Sequence, residues 1–120
     1  MLVGIDIIEN ERFARVMRRR PRLLDRVFTE KEREYCLSKA QPARHFAARF
    51  AAKEAVGKAL GTGVIRWQEI EIGSDDGRPG VSVSGKTLEL VEELAAEALS
   101  VSLSHSDEVS VAVAVARTRA

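Results

Sequence analysis

The sequence RFAAKEAVGKALGTG, residues 49–63, decides the architecture that the rest of the chain must fit. It is rich in alanine and contains no proline, and Gly57 is its one internal glycine, so it predicts an α-helix. Gly61 and Gly63 follow the helical residues, and glycine commonly ends a helix. Upstream, Pro42 suits the first turn of a helix. We therefore predict a long central helix from about Pro42 to Leu60.

The charges of this helix are not distributed as on an ordinary surface helix. At about 100° per residue, Glu54 and Lys58 lie on one face together with Ala47 and Ala51. No continuous apolar stripe results, which indicates that most sides of the helix are covered. Glu54 and Lys58 could form an i,i+4 ion pair worth only about 0.2–0.5 kcal/mol. Alternatively, they present a carboxylate for a metal ion and an ammonium for a phosphate side by side.

Length and composition restrict the class of protein. A chain of 120 residues, 45% hydrophobic and 31% charged, predicts one globular domain over residues 1–120. No apolar run reaches the length of a membrane span, and residues 1–4 lack the basic start of a signal peptide. A single cysteine, Cys36, suits a reducing compartment as a structural residue. We therefore expect a cytoplasmic protein without a membrane partner, and the net charge of +1 argues against nucleic acid.

A carboxylate interrupts the first predicted strand. Residues 2–8, LVGIDII, are rich in β-branched side chains and predict a strand with Asp6 in its interior. An unpaired buried carboxylate is costly, so Asp6 needs a cation or several hydrogen-bond donors. It could cap a neighbouring loop. The presence of Glu54 favours a metal ligand instead, because hard divalent cations prefer carboxylate oxygens.

An arginine-rich helix follows this strand. Residues 10–19 predict a helix with Phe13, Val16 and Met17 on its inner face, and Pro21 ends the segment. Its outer face is either an ordinary solvated surface or a docking ridge for an acidic protein. Residues 12–22, which include this helix and the residues that follow it, hold six arginines: Arg12, Arg15, Arg18, Arg19, Arg20 and Arg22.

Thr29 and Glu32 mark the start of a short helix. Their spacing is that of a capping box, in which each residue satisfies a backbone amide of the other. We predict that this helix runs to about Ser38, with Tyr35 and Leu37 packed on the core.

The second half of the chain alternates between strand and helix signals. Residues 67–72 and 81–83 predict strands around a turn at 75–77. Residues 85–98 predict an amphipathic helix. Two closing strands follow, and helices mixed with short antiparallel strands define an α+β class.

The closing strands contain a histidine and an unusual apolar run. His105 falls on the apolar side of residues 100–105, where it is either a core histidine or a phosphate contact. Residues 109–116 have no strongly polar side, so both faces should be covered. In a chain of this size, a partner subunit is a plausible cover for the second face.

The loop after the central helix could bind a phosphate. The backbone N–H groups of Gly61, Thr62 and Gly63 could cradle an anion. The dipole at a helix C-terminus disfavours anions, so a cation such as Lys58 would have to assist.

Several motifs together resemble one family. They are GIDIIE at residues 4–9, RFAAKEA at 49–55, KALGTG at 58–63, EIEI at 69–72, GRP at 77–79 and VSLSH at 101–105. In this order the chain is similar, from Gly4 to Val115, to the bacterial holo-[acyl-carrier-protein] synthases, the small 4′-phosphopantetheinyl transferases. The motif at 49–63 is specific, whereas the others alone would be weak.

The resemblance implies a reaction and an assembly. Members move the 4′-phosphopantetheine arm of coenzyme A to a serine of apo-acyl carrier protein, releasing adenosine 3′,5′-bisphosphate, as a step that supports fatty acid biosynthesis. They require Mg²⁺ and are typically homotrimers with an active site at each subunit interface. The implied fold is a small antiparallel sheet with a long central helix and additional helices packed on it.

The resemblance also implies residue roles. Asp6 and Glu54 would be the metal ligands and, with Lys58, the catalytic residues. Lys58, His105 and the Gly61 loop would contact the phosphates of coenzyme A. The arginines of the first helix and its end, Arg12, Arg19 and Arg22, would meet the acidic carrier protein. No role is carried over to Ser106.

Some alternatives stay open at this point. The attacking serine comes from the partner protein, so the chain needs no nucleophile, but a general base is required. Glu54, a metal-bound water and His105 are the candidates. Two other functions are a non-catalytic module that grips an acidic protein or RNA, and a different Mg²⁺-dependent nucleotide enzyme.

Overall fold

The computed structural model describes residues 1–75 and 77–119, with Asp75 described for its backbone only. Its architecture is α+β, as predicted, with a three-stranded and a two-stranded antiparallel sheet. In chain order the elements are β1 (Leu2–Glu9), α1 (Asn10–Arg19), α2 (Arg22–Val27), α3 (Glu30–Leu37), α4 (Pro42–Leu60), β2 (Ile70–Asp75), β3 (Arg78–Val83), α5 (Gly85–Glu93), β4 (Ala96–His105) and β5 (Val109–Thr118). A 3₁₀ turn, Trp67–Glu69, precedes β2.

The centre of the fold is α4 packed on the sheet formed by β1, β5 and β4. β5 lies between the other two strands and is antiparallel to both. Ala112 and Ala114 of β5 are fully buried and pack in one cluster with Ala51 and Ala55 of α4. Small side chains on both sides let the helix axis approach the sheet closely.

β1 approaches α4 closely at Gly4. A Cβ atom on Gly4 would lie 2.0 Å from the carbonyl oxygen of Ala55 and 2.6 Å from the amide nitrogen of Ala59. Only glycine fits this position without moving the strand. Asp6 is two residues further along β1 and therefore lies on the same face, directed towards α4.

A second core cluster lies beneath α1, α2 and α3. Phe13, Phe28 and Phe46 are buried there, and the Phe28 and Phe46 ring centroids are 4.8 Å apart. Cys36 joins this cluster with no exposed surface, and burial raises the pKa of its thiol to about 11. These features suit the structural role predicted for Cys36, because a thiol with that pKa stays protonated and weakly nucleophilic.

A buried ion pair joins α4 to α3 and β2. Lys53 is completely buried, and its Nζ lies 2.7 Å from Oε1 of Glu32, which is buried as well. The same Nζ donates to the carbonyl oxygens of Trp67 (2.9 Å) and Ile70 (2.6 Å). Oε2 of Glu32 accepts from the amide of Ile72 at 2.7 Å. Because both charges are paired and hydrogen-bonded, their burial is tolerated.

Several local predictions are confirmed. The central helix has the predicted bounds, and Gly61 ends it in the left-handed conformation at φ 86°. α1 spans Asn10–Arg19, and both hydrogen bonds of the capping box between Thr29 and Glu32 are present.

Other predictions for the first half of the chain are wrong. Leu37 is 60% exposed, and Cys36 and Glu32 are the residues of α3 that face the interior instead. Val16 is also exposed rather than on the inner face of α1. The helix α2 was not predicted, because six residues are too few to show a helical period.

The predicted helix at residues 85–98 is too long. It ends at Glu93, and Ala95 and Ala98 adopt positive φ angles of 52° and 55°. From Ala96 the chain pairs with β5, beginning opposite Thr118. Strand pairing with a distant segment therefore overrides the helix propensity of this alanine-containing stretch.

The predicted strand at residues 67–72 is correct only from Ile70 onward, since Trp67–Glu69 forms the 3₁₀ turn. Asp76, in the predicted turn, lies outside the described residues. Among the described residues, no helix combines the length and apolar character that a membrane span requires.

Replacing Lys53 by methionine should strongly destabilise the fold. The substitution keeps the length of the side chain but leaves Glu32 charged and buried without its cation, at an expected cost of about 3–5 kcal/mol. Urea denaturation measures this loss. As a control, Arg44→Met removes the pair with Asp107, whose side chain is 92% exposed, and should cost at most about 1 kcal/mol. Equal losses in the two variants would contradict the importance of the buried pair.

Candidate active site

Asp6, Glu54 and Lys58 meet where β1 crosses α4. The Lys58 Nζ donates to Oδ1 of Asp6 at 2.9 Å and to the carbonyl oxygen of Ile5 at 3.0 Å. The Asp6 side chain is 14% exposed, whereas that of Lys58 is 52% exposed. The Gly4 approach thus brings a strand carboxylate against a helix lysine that is distant in sequence. We refer to these three residues as the carboxylate site.

The lysine pairs with Asp6 rather than with Glu54. The sequence left open an i,i+4 ion pair between Glu54 and Lys58, but among the described residues the salt bridge of Lys58 is to Asp6. Glu54 remains half-buried beside this pair. Burial raises the pKa of Glu54, the charge of Asp6 raises it further, and Lys58 opposes the effect. Two carboxylates therefore compete for one cation.

The site has an unsatisfied acceptor as well as excess negative charge. Oδ2 of Asp6 is buried and has no hydrogen-bond partner among the described residues. A second cation between Asp6 and Glu54 would satisfy this oxygen and remove the repulsion. Two carboxylates suit Mg²⁺, which usually takes one or two protein carboxylates and completes its shell with water and phosphate oxygens. The site offers two carboxylates and no third protein ligand: the described residues contain no cluster of three or more His, Cys, Asp or Glu side chains placed to hold a metal.

Two amides of the glycine loop after α4, those of Gly61 and Gly63, are hydrogen-bonded within the loop and helix. The amide of Gly61 donates to the carbonyl oxygen of Lys58 at 3.1 Å, and the amide of Gly63 donates to that of Gly57 at 3.0 Å. A Cβ on Gly57 would lie 2.5 Å from the carbonyl carbon of Gly63, so the loop folds tightly over the helix. These bonds do not favour the predicted phosphate cradle at Gly61.

A second group of basic residues forms what we name the basic cleft: His45, Arg49 and His105. The rings of His105 and His45 are 6.1 Å apart, and Arg49 follows His45 by one helical turn. The cleft has a volume of about 300 Å³ and is completed by Gly73 and Ser74 of β2. His105 is exposed at the end of β4, which excludes the core histidine considered from the sequence.

Arg49 is the functional candidate that sequence reasoning missed. It is 5% exposed, its guanidinium stacks 4.0 Å from the centroid of the Tyr35 ring, and its Nε has no hydrogen-bond partner among the described residues. Burial, together with the charges of Arg49 and His105, lowers the pKa of His45. The cleft is therefore a positive environment suited to an anion. The available signal was an arginine placed among apolar residues of a covered helix.

The carboxylate site and the basic cleft lie on different sides of α4. Arg49 and Glu54 are five residues apart, which on a helix means about 7.5 Å along the axis and about 140° around it. In the sheet, Asp6 pairs with Ala112 and Ala112 with Leu103. His105 is thus two strands and two residues away from Asp6, about 12 Å. One chain does not bring His105 to Lys58.

The predicted docking arginines are all on the surface. Arg12 and Arg19 lie on α1 and Arg22 begins α2, and all three are exposed. None of the three takes part in an ion pair among the described residues. Arg12 also borders an apolar cleft of about 450 Å³, whose walls include Phe13, Phe50 and other apolar side chains.

The class of protein follows from comparison with known families. The sequence pattern of the 4′-phosphopantetheinyl transferase superfamily matches residues 2–114. The chain belongs to this superfamily.

Individual relatives are similar over nearly the whole chain. It is 50% identical to a holo-[acyl-carrier-protein] synthase of Moorella thermoacetica over 115 residues, 93% of this chain and 90% of the relative. The structure of the Neisseria meningitidis holo-[acyl-carrier-protein] synthase matches with a TM-score of 0.90 at 30% identity, covering 98% of this chain and 100% of that one. The Bacillus anthracis enzyme, solved in complex with CoA (3′,5′-ADP), matches with a TM-score of 0.81 at 32% identity, covering 98% and 96%.

Replacing Glu54 by glutamine should stabilise the metal-free fold at neutral pH. The folded-state pKa of Glu54 is raised above its ordinary value of 4.5, so its ionisation opposes folding as the pH rises above about 4.5. The gain in the free energy of unfolding should therefore be largest near pH 8 and vanish at about pH 3.5, where Glu54 is protonated in both the folded and the unfolded chain. Urea titrations in EDTA at both pH values measure it.

The matched control for this experiment is Glu92→Gln on the exposed side of α5, which should change stability little at either pH. A Glu54→Gln variant that is no more stable than the parent at neutral pH would contradict the raised pKa of Glu54.

Proposed function

We propose that this chain transfers the 4′-phosphopantetheine group of coenzyme A to a serine of apo-acyl carrier protein. The products are holo-carrier protein and adenosine 3′,5′-bisphosphate, and the role is to support fatty acid biosynthesis in the cytoplasm. The observation that carries the proposal is the meeting of Asp6, Glu54 and Lys58 within a chain of this superfamily. Its relatives named as holo-[acyl-carrier-protein] synthases add support.

The reaction is a displacement at phosphorus. The serine oxygen forms a bond to the phosphorus that carries the pantetheine arm, the bond from that phosphorus to the bridging oxygen breaks, and the bisphosphate leaves with the electron pair. Asp6 and Glu54 would hold a Mg²⁺ ion, which when bound neutralises charge on the diphosphate oxygens. Lys58, exposed over half of its side chain, can turn from Asp6 to a phosphate oxygen and act there as a point charge.

The serine proton needs an acceptor near the carboxylate site. The candidates at this site are Glu54 itself and a water bound to the metal ion. His105 is a weaker candidate in one chain, since it lies on the other side of α4.

The transfer assay with isosteric variants tests the proposal. Asp6→Asn and Glu54→Gln should each lower the Mg²⁺-dependent transfer rate by at least about a hundredfold, because each removes a charge from the metal pair. The assay incubates protein, coenzyme A, Mg²⁺ and apo-carrier protein, and mass spectrometry detects the phosphopantetheine added to the carrier. Glu11→Gln, on the exposed side of α1, is the matched control and should retain the parent rate. Parent activity in either site variant would remove the metal-pair assignment.

We also propose that the active site is completed between subunits. The basic cleft offers Arg49 and His105 for a phosphate of coenzyme A, but α4 separates it from the carboxylate site of the same chain. A neighbouring copy could place its basic cleft opposite Asp6 and Glu54. This arrangement agrees with the homotrimer that the family resemblance implies.

An exposed apolar surface supports such an assembly. The outer face of β1 carries Val3, Ile5 and Ile7, which are 58%, 61% and 63% exposed. Their cross-strand neighbours on β5 are valines, for example Val113 opposite Ile5. Monomeric proteins rarely expose a continuous apolar strip of this kind on a sheet. The strip lies on the outer face of the sheet, beside the valines of β5. This is the second face of β5, for which the sequence predicted a partner subunit as the cover.

Introducing a charge into this strip should dissociate the assembly. Ile5→Glu places a carboxylate in the centre of the proposed interface, and we expect sedimentation to show a trimer for the parent and a monomer for the variant. Leu88→Glu is the control, because Leu88 is an exposed apolar residue of α5 and its replacement should leave the trimer intact. A monomeric parent at micromolar concentration would contradict the shared site.

The acidic carrier protein would dock on the arginines that follow β1. Arg12, Arg19 and Arg22 are exposed and unpaired among the described residues, so they can attract carboxylates at little cost. The apolar cleft beside Arg12 gives the docking surface a hydrophobic centre.

Reversing two of these charges should weaken carrier binding selectively. The double variant Arg12→Glu/Arg19→Glu should raise the KM for carrier protein by about tenfold or more, equivalent to about 1.4 kcal/mol, while the KM for coenzyme A stays unchanged. Arg117→Glu, an exposed arginine near the end of β5, should leave both constants unchanged. An unaltered KM for carrier protein in the double variant would discount the docking surface.

A further inference from the structure

The first residue of α1 has a buried polar side chain that none of the roles above uses. Asn10 is 7% exposed, yet its side chain is fully hydrogen-bonded. Its Nδ2 donates to the carbonyl oxygens of Ser106 at 2.9 Å and Asp107 at 3.3 Å, and its Oδ1 accepts from the hydroxyl of Ser110 at 2.6 Å. Its backbone amide adds a bond to the carbonyl oxygen of Glu108 at 2.8 Å.

Three of these bonds reach the turn that joins β4 to β5, and the fourth reaches Ser110 at the start of β5. This turn begins directly after His105, and Ser110 is the residue paired with His105 across the two strands. Ser110 has no exposed surface, so its hydroxyl depends on Asn10 for a partner. Asn10 therefore bonds to the turn that follows His105 and to Ser110, the residue that pairs with His105.

The other contacts of the turn shape it without fixing its position as firmly. The Ser106 hydroxyl accepts from the amides of Glu108 and Val109 at 3.2 Å, which are bonds within the turn itself. Arg44 of α4 reaches Asp107 at 2.6 Å, but the Asp107 side chain is 92% exposed. An exposed pair of this kind contributes little. The hydrogen bonds of the buried Asn10 are thus the main link between the turn and α1.

We propose that Asn10 is a positioning residue, which fixes His105 in the basic cleft by fastening the β4–β5 turn to the start of α1. The inference rests on the proposed contact between His105 and a phosphate of coenzyme A. Asn10 itself touches no phosphate in this arrangement. Asn10 also links the end of β4, which carries His105, to α1, the helix that carries Arg12 and Arg19.

The expected signature is a loss of affinity without a loss of turnover. A freed turn lets His105 sample positions away from the phosphate, so Asn10→Ala should raise the Kd for coenzyme A by about threefold to tenfold. The kcat at saturating coenzyme A should stay near the parent value, because Asp6, Glu54 and Lys58 are untouched. Hydrogen exchange at the amides of residues 106–109 should accelerate.

A double-mutant cycle with His105 distinguishes positioning from general destabilisation. Calorimetric titration with coenzyme A compares the parent, Asn10→Ala, His105→Ala and the double variant. If Asn10 acts through His105, its replacement has no further effect on Kd once His105 is absent. Thr87→Ala is the matched control, since Thr87 is 1% exposed and hydrogen-bonded to Glu69 in a different part of the fold. It should lower stability while leaving the Kd unchanged.

Each outcome has a defined meaning. Effects of Asn10→Ala and His105→Ala that add independently, or a parent Kd in Asn10→Ala, would overturn the positioning role alone. A parent Kd in His105→Ala would overturn the phosphate contact of His105, and the positioning role with it. If Asn10→Ala does not fold, Ser110→Ala removes only the 2.6 Å bond and takes its place in the same cycle.

Discussion

The close contact between β1 and α4 is the constraint on which the rest of the structure depends. Because Gly4 has no side chain, the strand backbone can approach the helix so closely that a Cβ atom there would lie 2.0 Å from the carbonyl oxygen of Ala55. That approach directs Asp6 at the helix face that carries Glu54 and Lys58. A larger residue at position 4 would separate the strand from the helix and so separate the two carboxylates. The fold and the candidate chemistry therefore share one contact.

This arrangement is unfavourable for stability. Glu54 and Asp6 repel one another in a half-buried setting, and a single lysine is left to compensate. The neighbouring residue, Lys53, differs because its charge is fully compensated. It is buried in an ion pair with Glu32 and donates to two carbonyl oxygens. Lys53 secures α4 within the fold, which in turn gives Glu54 a rigid support. Neighbouring residues of one helix thus differ in environment: Lys53 is paired inside the core, and Glu54 lies at the candidate site.

The sequence predicts what local signals specify. The bounds of α4, the capping box and the strand that contains Asp6 follow from glycine, proline and β-branched residues within short windows. The end of α5 does not, because it is set by pairing between Ala96 and Thr118, which are distant in the chain. The same limit applies to α2, whose six residues show no period.

Within the candidate site the limit is similar. The motifs identify Asp6, Glu54 and Lys58 by residue type and spacing, but helical spacing alone suggests that Lys58 pairs with Glu54. The bond to Asp6 depends on how strand and helix cross. The burial of Arg49 and the fastening of the His105 turn by Asn10 likewise arise from tertiary contacts that no local pattern contains.

Crystals grown with Mn²⁺ and coenzyme A would test most directly whether two acids from distant parts of the chain share one divalent ion. Manganese replaces magnesium at oxygen-rich sites and can be located by its anomalous scattering. We expect an anomalous peak between the carboxylates of Asp6 and Glu54, in contact with the diphosphate and with Lys58 displaced towards it. Bound coenzyme A whose diphosphate lies elsewhere, with no peak at these carboxylates, would contradict this conclusion.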